Sequence, residues 1–527
     1  MEHPTMILKL HKMLTLVLIF SLFLTVFTNS TSAQTVKLTL TGKQVNDGFG
    51  FRIINAGDWD GDEFPDIAAG SPFYKLPNYS SAGRFAVLSG KTGAELFGFT
   101  GSPQFPVAGI WVSDIGDLTN DGIPELAVGS SVPSAGVKIF AGGIGMELLS
   151  VTGAVGAIAL ADVNQVGLTD LVLAGGGTMS LRKYSYQTTQ WSKINFGSIV
   201  SMNSDVDNDG FDDFLEAKGN GGEFSAGFAA VFSGKTGALI WSFPDEYIGI
   251  YPKKLGGGFG VIGDINGDGK RDFALASLEI GYETHLRSGA TGDKLAVLQG
   301  YQTVIINSFG DIDGDGVEDF VNGPVPTVFS GRTLKVIYSM PQQIGFGFWH
   351  SAAMGDIDND DFPDFCIGGQ KSGNNQGKIF LYSGAPIGVA TFGTGVSSPN
   401  TQIPRIGATG SARIGHPFPI NLSLVNPGSR AWLVIGDSST YTNDPNLPAD
   451  LTTFGFPQCE LVVNPEIVIP TLTYAVGPGL SSATIELPIP NDAALVGTEH
   501  FAQWLVSTPG FELPGACTRG LRFVVQQ

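Results

Sequence analysis

Short apolar runs, each about four to six residues long, are punctuated by Gly, Ser, Asn and Pro along most of the chain. Ile67-Ala-Ala-Gly70 is one such run. It is followed by Gly83-Arg-Phe-Ala-Val-Leu-Ser-Gly90, which closes in the turn Lys91-Thr-Gly93, and by a further run over 94–100. Ahead of them stands Gly48-Phe49-Gly50-Phe51. Runs this short, bounded by turn formers, predict strands rather than helices. The same order recurs downstream. The Gly/Phe segment returns as Gly258-Phe259-Gly260 and Gly345-Phe346-Gly347-Phe348. The Ser-Gly turn returns at Ser233-Gly234-Lys235, Ser288-Gly289 and Ser330-Gly331-Arg332. Four strands per unit, with the unit repeated seven times, predict an all-β chain whose main part is a seven-bladed β-propeller.

Between the first two strands of each unit lies an acidic loop of nine residues. The copies begin at Asp58, Asp117, Asp162, Asp205, Asp264, Asp311 and Asp356, a repeat of about 50 residues, the length of one blade. Acids at positions 1, 3, 5 and 9, with a backbone carbonyl at position 7, offer the oxygen ligands that calcium takes. The candidate ligands are Asp58, Asp60, Asp62, Phe64 (by its carbonyl) and Asp66 in copy 1, and Asp117, Thr119, Asp121, Ile123 and Glu125 in copy 2. They are Asp205, Asp207, Asp209, Phe211 and Asp213 in copy 4, and Asp264, Asn266, Asp268, Lys270 and Asp272 in copy 5. Copy 6 offers Asp311, Asp313, Asp315, Val317 and Asp319, and copy 7 offers Asp356, Asp358, Asp360, Phe362 and Asp364. Copy 3 has Val166 where the fifth-position acid belongs and is expected to stay empty. Gly or Asn at position 4, and Gly at position 6 in most copies, suit a sharp turn. The loop begins like an EF-hand but ends three residues early and runs into a strand, which excludes a helix–loop–helix site. Five or six calcium ions are expected. A plain Asx turn would gather the same residues without a metal, but converging carboxylates repel by up to about 4 kcal/mol per close pair unless a cation lies between them.

Acidic loop, Gly/Phe strand and Ser-Gly turn, recurring together over residues 36–384, resemble the FG-GAP repeats of integrin α-subunit N-terminal domains and their bacterial relatives. The resemblance implies a calcium-bearing propeller on an extracellular protein. Copies 2 and 3 have weak Gly/Phe segments. The seventh unit lacks a clear fourth strand. Residues 35–42 are expected to complete it from the N-terminus and close the ring; residues 387–392 are the local alternative.

From about residue 385 the repeat stops. Residues 385–403, rich in Gly, Ser, Thr and Pro, read as a linker. Strand patterns at 419–425, 431–435, 460–463, 483–488, 502–506 and 521–525 predict a small β-sandwich over 404–527. Within it Pro404-Arg-Ile-Gly407, Cys459-Glu-Leu461 and Leu487-Pro-Ile-Pro-Asn491, with Thr391-Phe-Gly-Thr-Gly395 ahead of it, resemble a C-terminal module of secreted repeat proteins from planctomycete-type bacteria. Cys366 falls in an apolar strand pattern. Cys459 and Cys517 lie in one region and either pair or stay free.

Composition narrows the function. With 73 glycines and 30 prolines but 43% hydrophobic residues, the chain is neither disordered nor helical. A formal net charge of −20 excludes nucleic-acid binding, since nothing would neutralise phosphates. Residues 1–33 combine a basic start, an apolar run over 13–27 and small residues before Gln34. They read as a secretory signal peptide or, alternatively, a short anchor, with no transmembrane segment in the mature chain. No zinc motif, nucleophile elbow or phosphate loop is present. The expected function is an extracellular or cell-surface binding or adhesion protein for a protein or glycan ligand, with structural calcium. The alternatives are a polysaccharide lyase or glycosidase on the same scaffold, or a structural envelope protein. The expected ligand loops are 71–83, with Phe73, Tyr74, Lys75 and Tyr79, and 244–255, with Tyr247, Tyr251, Lys253 and Lys254.

Overall fold

A computed structural model describes residues 34–527, apart from 155, 160–169, 176–177, 183–188, 195–197, 203, 219–226, 245–246, 249–250, 253–254, 278–282, 300–305, 324–325, 341–347, 370–375, 398–401, 441–445, 457, 478–479 and 508–514. The signal segment and most of the third acidic loop fall outside the described residues. The structure is all-β. Seven four-stranded antiparallel sheets follow one another along the chain. Sheet 1 comprises Arg52–Asn55, Ile67–Ser71, Arg84–Leu88 and Glu95–Thr100. Sheets 2 to 6 repeat the pattern, beginning at Trp111–Asp114, Gly156–Ala159, Ser198–Ser201, Leu255–Val261 and Asn307–Gly310. Sheet 7 begins at Phe348–Gly355.

The first strand of each sheet contacts the first strands of both neighbours, and sheet 7 returns to sheet 1, so the sheets form the closed ring of a β-propeller. This placement explains the sequence pattern. Second strands such as Ile67–Ser71, Phe273–Ser277 and Asp364–Gly369 are buried at every residue, because both faces meet another sheet. The outermost strand Glu95–Thr100 keeps its exposed and half-buried positions. Each junction between neighbouring sheets holds its own apolar cluster. Aromatic stacking fills several of them, as with Phe309 on Phe365 at 4.6 Å between ring centres and Trp241 on Phe273 at 5.2 Å.

The ring is closed by the N-terminal strand. Val36–Thr41 pairs antiparallel with Lys378–Tyr382, matching Leu40 to Ile379, and buries Leu40. The local alternative is engaged elsewhere: Val389–Phe392 pairs with Gly515–Val524. Part of the stretch read as a linker is therefore a strand of the C-terminal module.

That module has two sheets. One orders Val389–Phe392, Gly515–Val524, Glu499–Ser507, Arg430–Gly436 and Ile467–Leu472. The other orders Arg405–Ala408, Pro417–Val425, Leu480–Pro488 and Tyr474–Gly477. A single core takes Ile406, Phe418 and Ile420 from the second and Leu433, Trp504 and Phe523 from the first. Trp504 donates its indole N–H to the Asn421 carbonyl at 3.0 Å, which satisfies the one polar atom of a fully buried ring. All three cysteines are buried free thiols. Cys459 and Cys517 share one cluster, and a hydrogen bond between their side chains pushes the Cys459 thiol up. No helix among the described residues is long and apolar enough to cross a membrane.

Candidate metal centres

Each described acidic loop connects the first and second strands of its sheet. The backbone is turned by residues in the left-handed region at positions 4 and 6. Position 4 is Gly61, Asn120, Asn208, Gly267, Gly314 or Asn359, all with positive φ. Position 6 is Gly in four copies and Glu63 or Asp361 in the other two, again with positive φ. Glycine and Asn adopt this conformation at least cost.

The acids divide into two jobs. The first acid of every described copy accepts the N–H groups of the fifth and sixth residues at 2.6–3.1 Å, which winds the loop around its carboxylate. The fifth acid accepts the N–H of position 7, from Phe64, Ile123, Phe211, Lys270, Val317 and Phe362. The ninth acid is fully buried in Asp66, Glu125, Asp213, Asp272, Asp319 and Asp364. One of its oxygens accepts the N–H of the second loop residue, such as Trp59 at 2.7 Å or Ile312 at 2.8 Å. The other accepts the glycine N–H of the Ser-Gly turn, as from Gly90, Gly234, Gly289 and Gly331. The ninth acid thus braces loop to turn, a role that spacing alone did not reveal.

Carboxylate oxygens converge to within 4.8 Å of one another in five loops: Asp58, Asp60 and Asp62; Asp117, Asp121 and Glu125; Asp205, Asp207 and Asp213; Asp311, Asp313 and Asp315; Asp356, Asp358 and Asp360. In loop 2, Thr119 donates its hydroxyl to Glu125 at 3.2 Å. In loop 5, Asn266 stands in place of the third acid, and its amide donates to Asp268 at 2.9 Å. The crowding has an electrostatic signature. Burial, helped by neighbouring acids, pushes Asp66 and Asp213 up to about 6 and Asp272 and Asp360 up to about 7. Asp313 and Asp319 are driven well above the carboxylate range by burial and by the other acids of their loop. Carboxylates held together at this cost fit a hard divalent cation, and an all-oxygen donor set suits calcium.

The sequence pattern did not reveal the cations around the loops. The residue after the Ser-Gly pair reaches the fifth-position carbonyl: Lys91 to Asp62 at 3.5 Å, Lys235 to Asp209 at 3.2 Å, and Arg332 to Asp315. Its recurrence after Ser-Gly was the available signal. Lys37, from the ring-closing strand, binds Asp358 at 2.5 Å and Asp364 at 3.1 Å in loop 7. Of the expected ligand loops, 71–83 lies wholly within the described residues. Phe73 is exposed and meets Phe51 edge-on, and Tyr74 lies under Arg84 at 5.8 Å. In the second loop, Tyr247–Ile248 and Tyr251–Pro252 pair as a short hairpin, while Lys253 and Lys254 lie outside the described residues.

These features define a β-propeller with a repeated acidic loop. The chain is similar to human integrin alpha-7, with 29% identity over 116 residues, which is 21% of this chain and 10% of the integrin. The match therefore spans only a small part of that relative's length. No protein-family model matches the chain.

Proposed function

We propose that the protein is a secreted, calcium-binding FG-GAP propeller that acts outside the cell or at its surface as a binding or adhesion protein, the calcium being structural. The observation that carries this reading is the recurrence, sheet after sheet, of a loop that gathers carboxylates within coordination distance of one point. The likeness to an integrin α chain supports it. With dissociation constants near 10⁻⁴–10⁻³ M, typical of extracellular modules, calcium at about tenfold excess adds roughly 1.4 kcal/mol per site. Across five or six loops that rivals the whole stability of an ordinary domain, about 5–15 kcal/mol. On this reading residues 34–384 form the scaffold, 404–527 a separate module, and the ligand, a protein or glycan, meets the face opposite the acidic loops.

The test is thermal melting of the mature chain in millimolar calcium and in chelator. The melting temperature should rise with calcium, and an unchanged melt in excess chelator would falsify the calcium reading. Screening the calcium-loaded protein on glycan and matrix-protein arrays then tests binding. Tyr74→Ala should weaken any ligand found, without shifting the calcium-dependent melt.

A further inference from the structure

The C-terminal module touches loop 7, where Thr391 donates to the Asp360 carbonyl at 2.8 Å and Arg519 to the Asn359 carbonyl at 2.7 Å, but it leaves Asp356 and Asp358 exposed; loop 6 is the described loop whose acids it covers. The C-terminal module lies directly on it. Arg405 donates to the Asp311 carbonyl at 2.6 Å and stands 3.4 Å from its carboxylate. Thr409 donates its hydroxyl to the Asp313 carboxylate at 2.9 Å, and Asn421 donates its amide to the Asp313 carbonyl at 2.7 Å. Arg332, beside the loop, bonds both Asp315 and Ser482 of the module. Asp313 is 1% exposed and Asp315 3%. Loop 1, by contrast, leaves Asp60 and Gly61 in solvent. Loop 5 faces a cleft of about 430 Å³, lined by Asn266, Gly267, Arg332 and Val476 among others, rather than a seal.

We propose that the calcium ion of loop 6 is the clasp that holds the C-terminal module on the propeller, and that it is the slowly exchanging ion of the set. The inference rests on the calcium reading above. Its own argument is charge balance. Asp311, Asp313, Asp315 and Asp319 face two guanidiniums, those of Arg332 and Arg405, at this interface. With all four ionised, two negative charges are left over in a site where Asp311 keeps some exposure but Asp313, Asp315 and Asp319 are buried, and unpaired buried charges are strongly unfavourable. A single divalent cation cancels them. Docking and ion are then coupled: lifting the module wets the loop and frees the ion, and losing the ion leaves the loop's mutually repelling acids buried beneath the module. The backbone fit is as close as the charge fit. A Cβ on Gly407 would lie 2.4 Å from the Asp313 carbonyl oxygen and 2.6 Å from the Gly314 Cα, so only glycine permits this approach.

The experiment follows radioactive calcium leaving the loaded mature chain into excess unlabelled calcium, with small-angle scattering on the same samples. The wild type should show one slow ion among faster ones. Gly407→Val and the milder Arg405→Ala, both on the module, should lose the slow phase and enlarge the radius of gyration. Asp313→Asn should lose the slow ion and expand the particle. Asp60→Asn should lose a fast ion and leave the size unchanged. If every ion of the wild type leaves in one phase, or the slow phase survives both module variants, the clasp is overturned while the calcium sites stand. If no calcium binds at all, the calcium reading falls and the clasp with it.

Discussion

Lys37 offers a test of loop 7 in which the sign is as informative as the size. Its ammonium lies 2.5 Å from Asp358 and 3.1 Å from Asp364, and the pull of both acids outweighs burial to raise its pKa. It therefore supplies part of the positive charge that a metal would bring to the same carboxylates. Replacing it by Met keeps the stem and removes the charge. In chelator the variant should lose stability, because Asp358 and Asp364 lose their partner; for a pair about one-fifth exposed on the lysine side this is worth about 1–2 kcal/mol. In calcium the balance changes. An ammonium about 4 Å from a divalent ion is opposed by roughly 8 kcal/mol at an effective dielectric of 20, an upper bound that falls as Lys37 swings aside. The difference in unfolding free energy between calcium and chelator should thus widen by about 2 kcal/mol or more in Lys37→Met. Urea denaturation under both conditions, with the slope checked for constancy, measures that difference. An equal or narrower difference would mean that ammonium and metal ion do not compete, and that loop 7 does not hold its ion among Asp356, Asp358 and Asp360.

Two further predictions follow from other parts of the ring. Deleting residues 34–42 strips the pairing from Lys378–Tyr382 and removes the buried Leu40, worth about 2 kcal/mol by itself. The truncated chain should melt lower and aggregate with concentration in light scattering, because an open edge is a template for pairing; a monomer with an unchanged melt would count against closure by this strand. His350 is hydrogen-bonded to Arg52 at 3.0 Å, and burial, then the guanidinium, pushes it down to about 3. Its folded pKa lies below the unfolded value of about 6.5, so its contribution is present above pH 6.5 and is lost as pH falls toward 3. At pH 5 the wild type should have lost about 2 kcal/mol that His350→Gln does not lose, and parallel stability–pH curves for the two proteins would refute this.

How much of this was legible in the sequence depends on how far each feature reaches. The acidic loops, the Gly or Asn at position 4 and the buried second strands are local, and a repeat of about 50 residues displays them copy by copy. The strand Val389–Phe392, set among Gly, Ser and Thr, has the pattern of a linker or of a local fourth strand for the ring; it becomes a strand of the C-terminal module only through Gly515–Val524, more than a hundred residues on. Two segments of similar pattern competed to close the ring, and nothing within either one decides between them. The ionic setting of each loop is non-local as well. Lys37 meets Asp364 across 327 residues, and Thr409 meets Asp313 across 96. A repeat invites the inference that its copies are equivalent, yet the environment divides them. Loop 1 opens to solvent, loop 5 faces a cleft and carries an Asn, loop 6 is sealed beneath the C-terminal module, and loop 7 shares its acids with a lysine. Nearly the same nine residues therefore specify one loop shape and several different electrostatic problems. The motif tells what a loop can bind; how tightly and how reversibly it binds is set by residues that the motif does not contain.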